Sequence, residues 1–403
     1  MSSSPTAPNA DPLREPRDFS LVLGGPLFQL FRKAHLTDDA LMLLRKRIVI
    51  ISLISWLPLL VLSAIEGQLW GGKAAVPFLL DVEAHVKFLL VVPLLIAAEL
   101  VVHQRLLPLV KQFQERRLIP ESAMTRYDAA IESVFRLRNS VLAEVLLIAF
   151  VYGVGILVVW RQFTALDTAT WYATPFAGGS ELSFAGMWYG YVSLPVFQFL
   201  ICRWYFRFFI WARFLWQVSR IDLDLVPTHP DRVGGLGFLS RTAYAFAMLL
   251  LAYGALLAGQ IANRIFYLGA ALPDFKVEIS VMVVFLMCLV LGPLLVFSAQ
   301  LSRVKRTGNR EYGMLAQRYV REFDAKWLRG GAPAGEPLVG SADIQSLADI
   351  GSSVDVVREM RIVPVTRAAL LQVAAATLAP IVPLALTLMP LEELLKKLFG
   401  ILF

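Results

Sequence analysis

With 403 residues, 57% of them hydrophobic, and a mean hydropathy of +0.63, this chain carries more apolar surface than a soluble fold of its size can hide. Its net charge of +7 comes without a basic groove interleaved with aromatics, so the charge reads as topology and contact with anionic lipid, and nucleic acid is excluded as a partner. Two Cys and four His, scattered over separate segments, rule out a disulfide framework and a structural zinc site; no metal and no cofactor are expected.

The expected fold class is all-α, a polytopic transmembrane helix bundle of about seven spans with cytoplasmic helical extensions. Residues 1–25, rich in Ser, Pro, Ala and Asp in their first 20, read as a disordered cytoplasmic tail without the pattern of a cleaved signal. From Pro26 to Arg47 an interfacial helix is expected, opening at Thr37-Asp38-Asp39 and closing on Arg45-Lys46-Arg47. The apolar runs are Ile48–Ile65, Phe88–Leu107, Val141–Trp160, Met187–Arg207, Thr242–Ile265, Ile279–Leu301 and Ala368–Met389. Each is near the roughly 20 residues that cross about 30 Å of hydrocarbon.

Basic residues set the expected orientation. Of the 38 Lys and Arg, 29 fall in segments 1–47, 108–140, 207–241 and 303–367, and 7 in the alternate connections, with Arg105 and Arg203 inside spans. Positive connections stay cytoplasmic, so the N-terminus is inside and the C-terminus outside. Trp70, Trp160, Trp171 and Tyr172 then form an outer aromatic belt.

The organisation follows: a bundle over 26–302 with a cytoplasmic hairpin at 108–140, a cytoplasmic helical segment at 303–365, and a last span with an outer tail at 366–403. Gly330 to Gly335 divides the cytoplasmic segment. In its second helix Ile344, Leu347, Val354, Val357 and Met360 share one face, which must pack on the chain's own hairpin or on a neighbour.

Polar groups at matching depth carry the functional expectation. Counting from Phe88, Glu99 lies roughly 16 Å down and His103 roughly 22 Å, on one helix face. Counting from Met187, Gln198 lies roughly 16 Å and Arg203 roughly 24 Å down; Glu144 sits roughly 25 Å from the outside. A charge in hydrocarbon costs at least about 2.5–3.5 kcal/mol, so these groups should face each other or a wet cavity. Arg203 can also snorkel to the inner headgroups, as Arg207 is expected to do, and Glu144 can pair with Arg138. Gly153, Gly155, Gly254, Gly259, Gly292-Pro293, Pro380 and Pro383 interrupt four spans, permitting close helix packing or freed carbonyls.

The string from Pro227 to Leu239 is the most distinctive. Gly234, Gly235 and Gly237 let backbone N–H groups share one cavity before a helix, with His229 and Arg232 adding charge, which suits an anion or a lipid headgroup. The bland alternative is a tight re-entrant turn capped by Asp231 and anchored by Arg232. No strand precedes the loop and no Lys-Ser/Thr ends it, so it is not a nucleotide loop.

The string His229-Pro230-Asp231-Arg232-Val233-Gly234-Gly235-Leu236-Gly237-Phe238-Leu239, with Ser341 to Gly351 further on, resembles an uncharacterised family of bacterial multi-span membrane proteins. The resemblance covers roughly the second half of the chain. It implies a bacterial inner-membrane protein and no activity.

Three function classes remain. The first is a channel or transporter for a small ion or anionic solute along Glu99, His103, Glu144, Gln198 and Arg203. The second is a membrane-embedded enzyme or binder that grips a lipid-linked phosphate with His229, Asp231 and Arg232. The third is a scaffold recruiting a partner through its cytoplasmic helices. No catalytic residue is legible; anionic membrane lipids are the expected partners, and a second copy of the chain is compatible with the pattern.

Overall fold

The computed structural model describes residues 19–21, 40–71, 74–160, 170–176 and 179–387. Most of the expected tail and interfacial helix, the end of the last span and the outer C-terminal tail lie outside them. The described chain is helical apart from one short hairpin. Five helices are long and apolar enough to cross a membrane: α1 (Ala40–Ile65), α2 (Val82–Glu115), α5 (Phe184–Val218), α6 (Ala247–Leu268) and α7 (Leu272–Leu328). Two apolar helices are shorter, α4 (Val141–Gly155) and α9 (Arg367–Leu378). Two further helices are α3 (Met124–Arg138) and α8 (Ala342–Arg358).

Lipid is the solvent these helices are built for. On α1, Val49, Leu53, Leu57 and Val61 recur every fourth residue and are all exposed, while Ser52, Ser55, Leu59 and Ser63 face inward. A water-facing helix would reverse that arrangement. On α4, Val141, Leu142, Val145, Leu146 and Ile148 form a continuous exposed apolar surface.

The core forms where α2, α5 and α6 meet, around Phe88, Leu95, Val102, Trp204, Phe208, Phe246 and Leu250. Small residues let the helices close up. A Cβ on Gly254 of α6 would fall 2.1 Å from the Thr377 carbonyl oxygen of α9, and one on Gly259 would fall 3.2 Å from Val86 of α2. Helix α2 contains one wide turn, Val86–Val91, and Gly292-Pro293 turns α7 into a tighter helix over Gly292–Phe297 without ending it. At 57 residues α7 is about 85 Å long, so it overshoots any bilayer and projects as an arm on which α8 packs.

Two expectations are corrected here. Trp171 is not at a lipid interface: it is fully buried, and its indole N–H donates to Asp81 at 2.8 Å, because the connection before α5 folds back over the bundle. That connection carries the hairpin Ala173–Phe176 with Gly179–Leu182, antiparallel, Ala173 opposite Leu182. The apolar face of α8 packs on the α7 arm and not on the 108–140 hairpin; Val357 and Met360 are buried while Ile344 stays exposed. The hairpin's own helix, α3, lies on α5, with the Tyr127 hydroxyl donating to the Val110 carbonyl at 2.8 Å.

Gly254→Ala forces α6 away from the Thr377 carbonyl and should cost about 1–3 kcal/mol, whereas Gly153→Ala, whose Cβ meets nothing within 4 Å, should be close to neutral. Thermal unfolding of both variants in detergent micelles checks the difference.

Candidate functional site

Glu99 is the centre of the site. It sits on α2, only 4% exposed, and guanidinium groups from two other helices close on it. Arg207 of α5 donates through Nη2 to Oε1 at 2.7 Å, and Arg47 of α1 reaches Oε2 at 2.8 Å. Arg203, one turn before Arg207 on α5, lies 3.8 Å from Glu99 and 3.8 Å from Glu144 of α4. The arrangement follows from spacing, because residues four apart on α5 present both guanidiniums on one face. Trp204 locks α5 in register: its indole N–H donates to the Leu95 carbonyl at 3.0 Å, and its ring lies 4.7 Å beneath Arg207.

A small cavity of about 20 Å³ adjoins this cluster, lined by Leu21, Arg138, Glu144, Leu147, Arg203, Phe206, Arg207 and Ile210. The segment Phe19–Leu21 covers it. Phe19 packs against Trp211 and Phe214, and Arg138 donates to the Ser20 carbonyl at 2.7 Å.

Of the five residues expected to form a path, Glu99, Glu144 and Arg203 come together. His103 is half-buried one turn further along α2. Gln198 packs elsewhere, its amide over Gly155, where a Cβ would fall 2.2 Å from Gln198 Oε1. Arg207 does not snorkel. Its 4% exposure and its short bond to Glu99 correct that expectation, and its four-residue spacing from Arg203 was the available signal. Glu144 likewise takes Arg203 as its ion-pair partner.

A second polar layer lies about 18 Å away along α2, by the 12-residue separation of Lys87 from Glu99. Buried Lys87 donates to Glu83 at 2.8 Å and to the Tyr189 hydroxyl at 3.0 Å. Asp81 accepts from Ala84, Trp171 and Asn263, the last two at 2.8 Å. His85 accepts the Trp56 indole N–H on Nδ1 at 2.9 Å, so its Nε2, 3.2 Å from the Leu79 carbonyl, carries the proton of a neutral ring. Sequence reasoning missed this layer because Lys87 falls in a connection by hydropathy; the Glu83–Lys87 spacing of four was its trace.

In the Gly-rich loop the protein supplies its own anion. The Asp231 carboxylate accepts the N–H groups of Val233 (2.8 Å), Gly235 (3.1 Å) and Gly237 (2.8 Å), so the donors expected to cradle an external phosphate are already used. His229 Nδ1 lies 2.9 Å from Asp231, and Arg232 pairs with Glu359 at 2.6 Å on the surface. Gly234 and Gly235 take positive φ, 65° and 99°, and so does Arg232 at 57°. Half-burial pushes the Asp231 carboxyl up, but the three amides and His229 outweigh it and hold the group below its ordinary range. Among the described residues no group of three His, Cys, Asp or Glu is placed to hold a metal. Compared with models of known protein families, with curated proteins and with solved structures, the chain matches none.

Glu99→Leu leaves buried guanidiniums without their carboxylate and should cost about 3–5 kcal/mol, read as a large fall in Tm, with Glu99→Gln intermediate. For Asp231 the folded pKa is depressed, so its stabilisation is complete above about pH 4 and is lost as pH falls through the folded value. Tm measured from pH 6 to pH 3 should therefore decline, and Asp231→Asn should flatten part of that decline while lowering Tm at pH 6.

Proposed function

We propose that the chain is a multi-pass protein of the bacterial cytoplasmic membrane, with about seven spans, N-terminus inside and C-terminus outside, that passes a small anionic solute through its arginine-rich layer. One observation carries this reading. Among the described residues, three guanidiniums, Arg47, Arg203 and Arg207, meet two carboxylates, Glu99 and Glu144, in one largely buried cluster, and Arg138 lines the adjoining cavity. An excess of cation in a low-dielectric interior favours an anion, and the adjoining cavity has room for one water-sized species.

The seam between α1, α2 and α5 supports it further. Polar groups run its length, from Lys87 and Tyr189 through Ser193, which donates to the Ser55 carbonyl at 2.7 Å, to Arg47, Arg203 and Glu99. The Phe19–Leu21 segment then acts as a plug on the basic side, which the basic asymmetry assigns to the cytoplasm. A scaffold reading keeps one observation in its favour: the α7 arm exposes Met314, Leu315, Val320 and Leu328 away from the bundle.

Anion flux from chloride- or phosphate-loaded liposomes tests the proposal. Wild type should conduct, Arg203→Gln should lower the rate tenfold or more for a loss of roughly 1.4 kcal/mol of binding, and Glu144→Gln should raise it. Wild-type liposomes no leakier than empty ones would leave the scaffold reading. Cysteine labelling in intact cells should reach Asp274 from outside and Ser122 and Gly335 only after permeabilisation.

A further inference from the structure

A second, larger cavity lies away from the Glu99 cluster. It has a volume of about 470 Å³ and is lined by Gln104, Arg105, Pro108, Leu109, Gln112, Arg241 and Tyr244. One wall is the basic-side end of α2; the other is the short helical turn Thr242–Ala245 that leads into α6. Counting from Phe88, Gln104 lies roughly 24 Å along α2 and Gln112 roughly 36 Å, so the cavity straddles the edge of a 30 Å hydrocarbon layer.

Its two guanidiniums are open to a ligand. Arg105 and Arg241 are both exposed and make no ion pair or hydrogen bond among the described residues. Among the described residues no carboxylate lines the cavity, which instead offers two guanidiniums, two amides and a phenol hydroxyl beside the apolar faces of Pro108 and Leu109. Such a set donates many hydrogen bonds to a compact anion and leaves an apolar margin for what the anion is attached to. Two arginines form paired bonds to phosphate oxygens better than to a halide.

We infer that this cavity binds a phosphate group, and that its position at the hydrocarbon edge makes the phosphate that of an anionic phospholipid in the leaflet on the basic side. Arg105 and Arg241 hold the phosphate oxygens, Gln104 and Gln112 take neighbouring polar headgroup atoms, and the acyl chains run along the lipid-facing surface of α2. This is a different place from the Asp231 loop, whose amides are occupied. The leaflet follows from the orientation proposed above; binding itself requires no anion transport, so failure of the flux experiment leaves this test intact.

The test is lipid-dependent thermal stabilisation and native mass spectrometry of the full chain in detergent, titrated separately with phosphatidylglycerol, phosphatidylcholine and inorganic phosphate. Phosphatidylglycerol should raise Tm and give retained one-lipid adducts, with phosphatidylcholine weaker. Arg105→Gln and Arg241→Gln should each weaken binding about fivefold, and together by twentyfold or more. Arg105→Lys/Arg241→Lys should recover part of the loss. Elution as a single monodisperse peak with unchanged lipid-free Tm verifies that the variants fold. Equal stabilisation by both lipids, undiminished binding in the folded double Gln variant, or saturation by inorganic phosphate with no lipid adduct would each overturn the phospholipid site, the last by assigning the cavity to a free phosphate.

Discussion

The bundle is organised around a carboxylate that cannot be left alone. Removing a carboxylate from water into a low-dielectric interior carries a penalty of several kcal/mol, and Glu99 offsets it chiefly through the guanidiniums of Arg47 and Arg207 at under 3 Å, with Arg203 at 3.8 Å. Those two partners come from α1 and α5, so the electrostatic requirement of one side chain fixes three helices at one depth. Arg203 extends the tie to α4 through Glu144. Each helix is free to slide in lipid as far as hydrophobicity is concerned; a charged group with one acceptable partner geometry removes that freedom.

The same logic recurs, with the sign changed, at the Gly-rich loop. Left-handed glycines turn successive backbone N–H groups towards one point, which in many proteins holds a phosphate. Here Asp231 occupies that point. Filling the nest with a side chain of its own makes the loop a fixed joint: the Arg232 carbonyl accepts the Arg361 N–H at 2.7 Å and the Asp231 carbonyl accepts Arg361 Nη2 at 3.1 Å. The loop thereby clamps the end of α8, and Gly234 sits against Leu225, Leu301 and Met360 with no room for a larger side chain.

What the sequence made legible was whatever depends on one-dimensional periodicity. Apolar runs gave the long helices, Pro120 and the Gly330–Gly335 stretch gave breaks, and depth counting brought Glu144 and Arg203 to one layer; it set Glu99 roughly 8 Å short of them because the count began at Phe88, whereas the helix begins at Val82. What it hid depends on three-dimensional partnership. Arg207 has the composition of a snorkelling residue and becomes an interior ligand only because Glu99 faces it. Trp171 looks like an interfacial aromatic until the connection before α5 folds back over the bundle and Asp81 accepts its N–H. Gln198 matched Glu99 in depth but lies on the side of α5 that meets Gly155, and depth carries no information about azimuth. The loop glycines correctly signalled converging amides; the identity of the acceptor, four residues before Gly235, was present in the string and differs from an external ligand only by geometry.

These two electrostatic centres are joined by α5. Its middle carries Arg203 and Arg207, and its end runs into the segment that leads to Asp231, where Gln300 of α7 donates to the Ser219 and Ile221 carbonyls. Arg116, from the end of α2, reaches the Gly235 carbonyl and stacks on Phe238, so α2 and α5 both terminate on the same loop that grips α8. With Phe19 packed against Trp211 and Phe214 on that same stretch of α5, one helix carries the contacts of the Phe19–Leu21 segment, the guanidiniums around Glu99 and, at its end, the carbonyls that Gln300 of α7 holds.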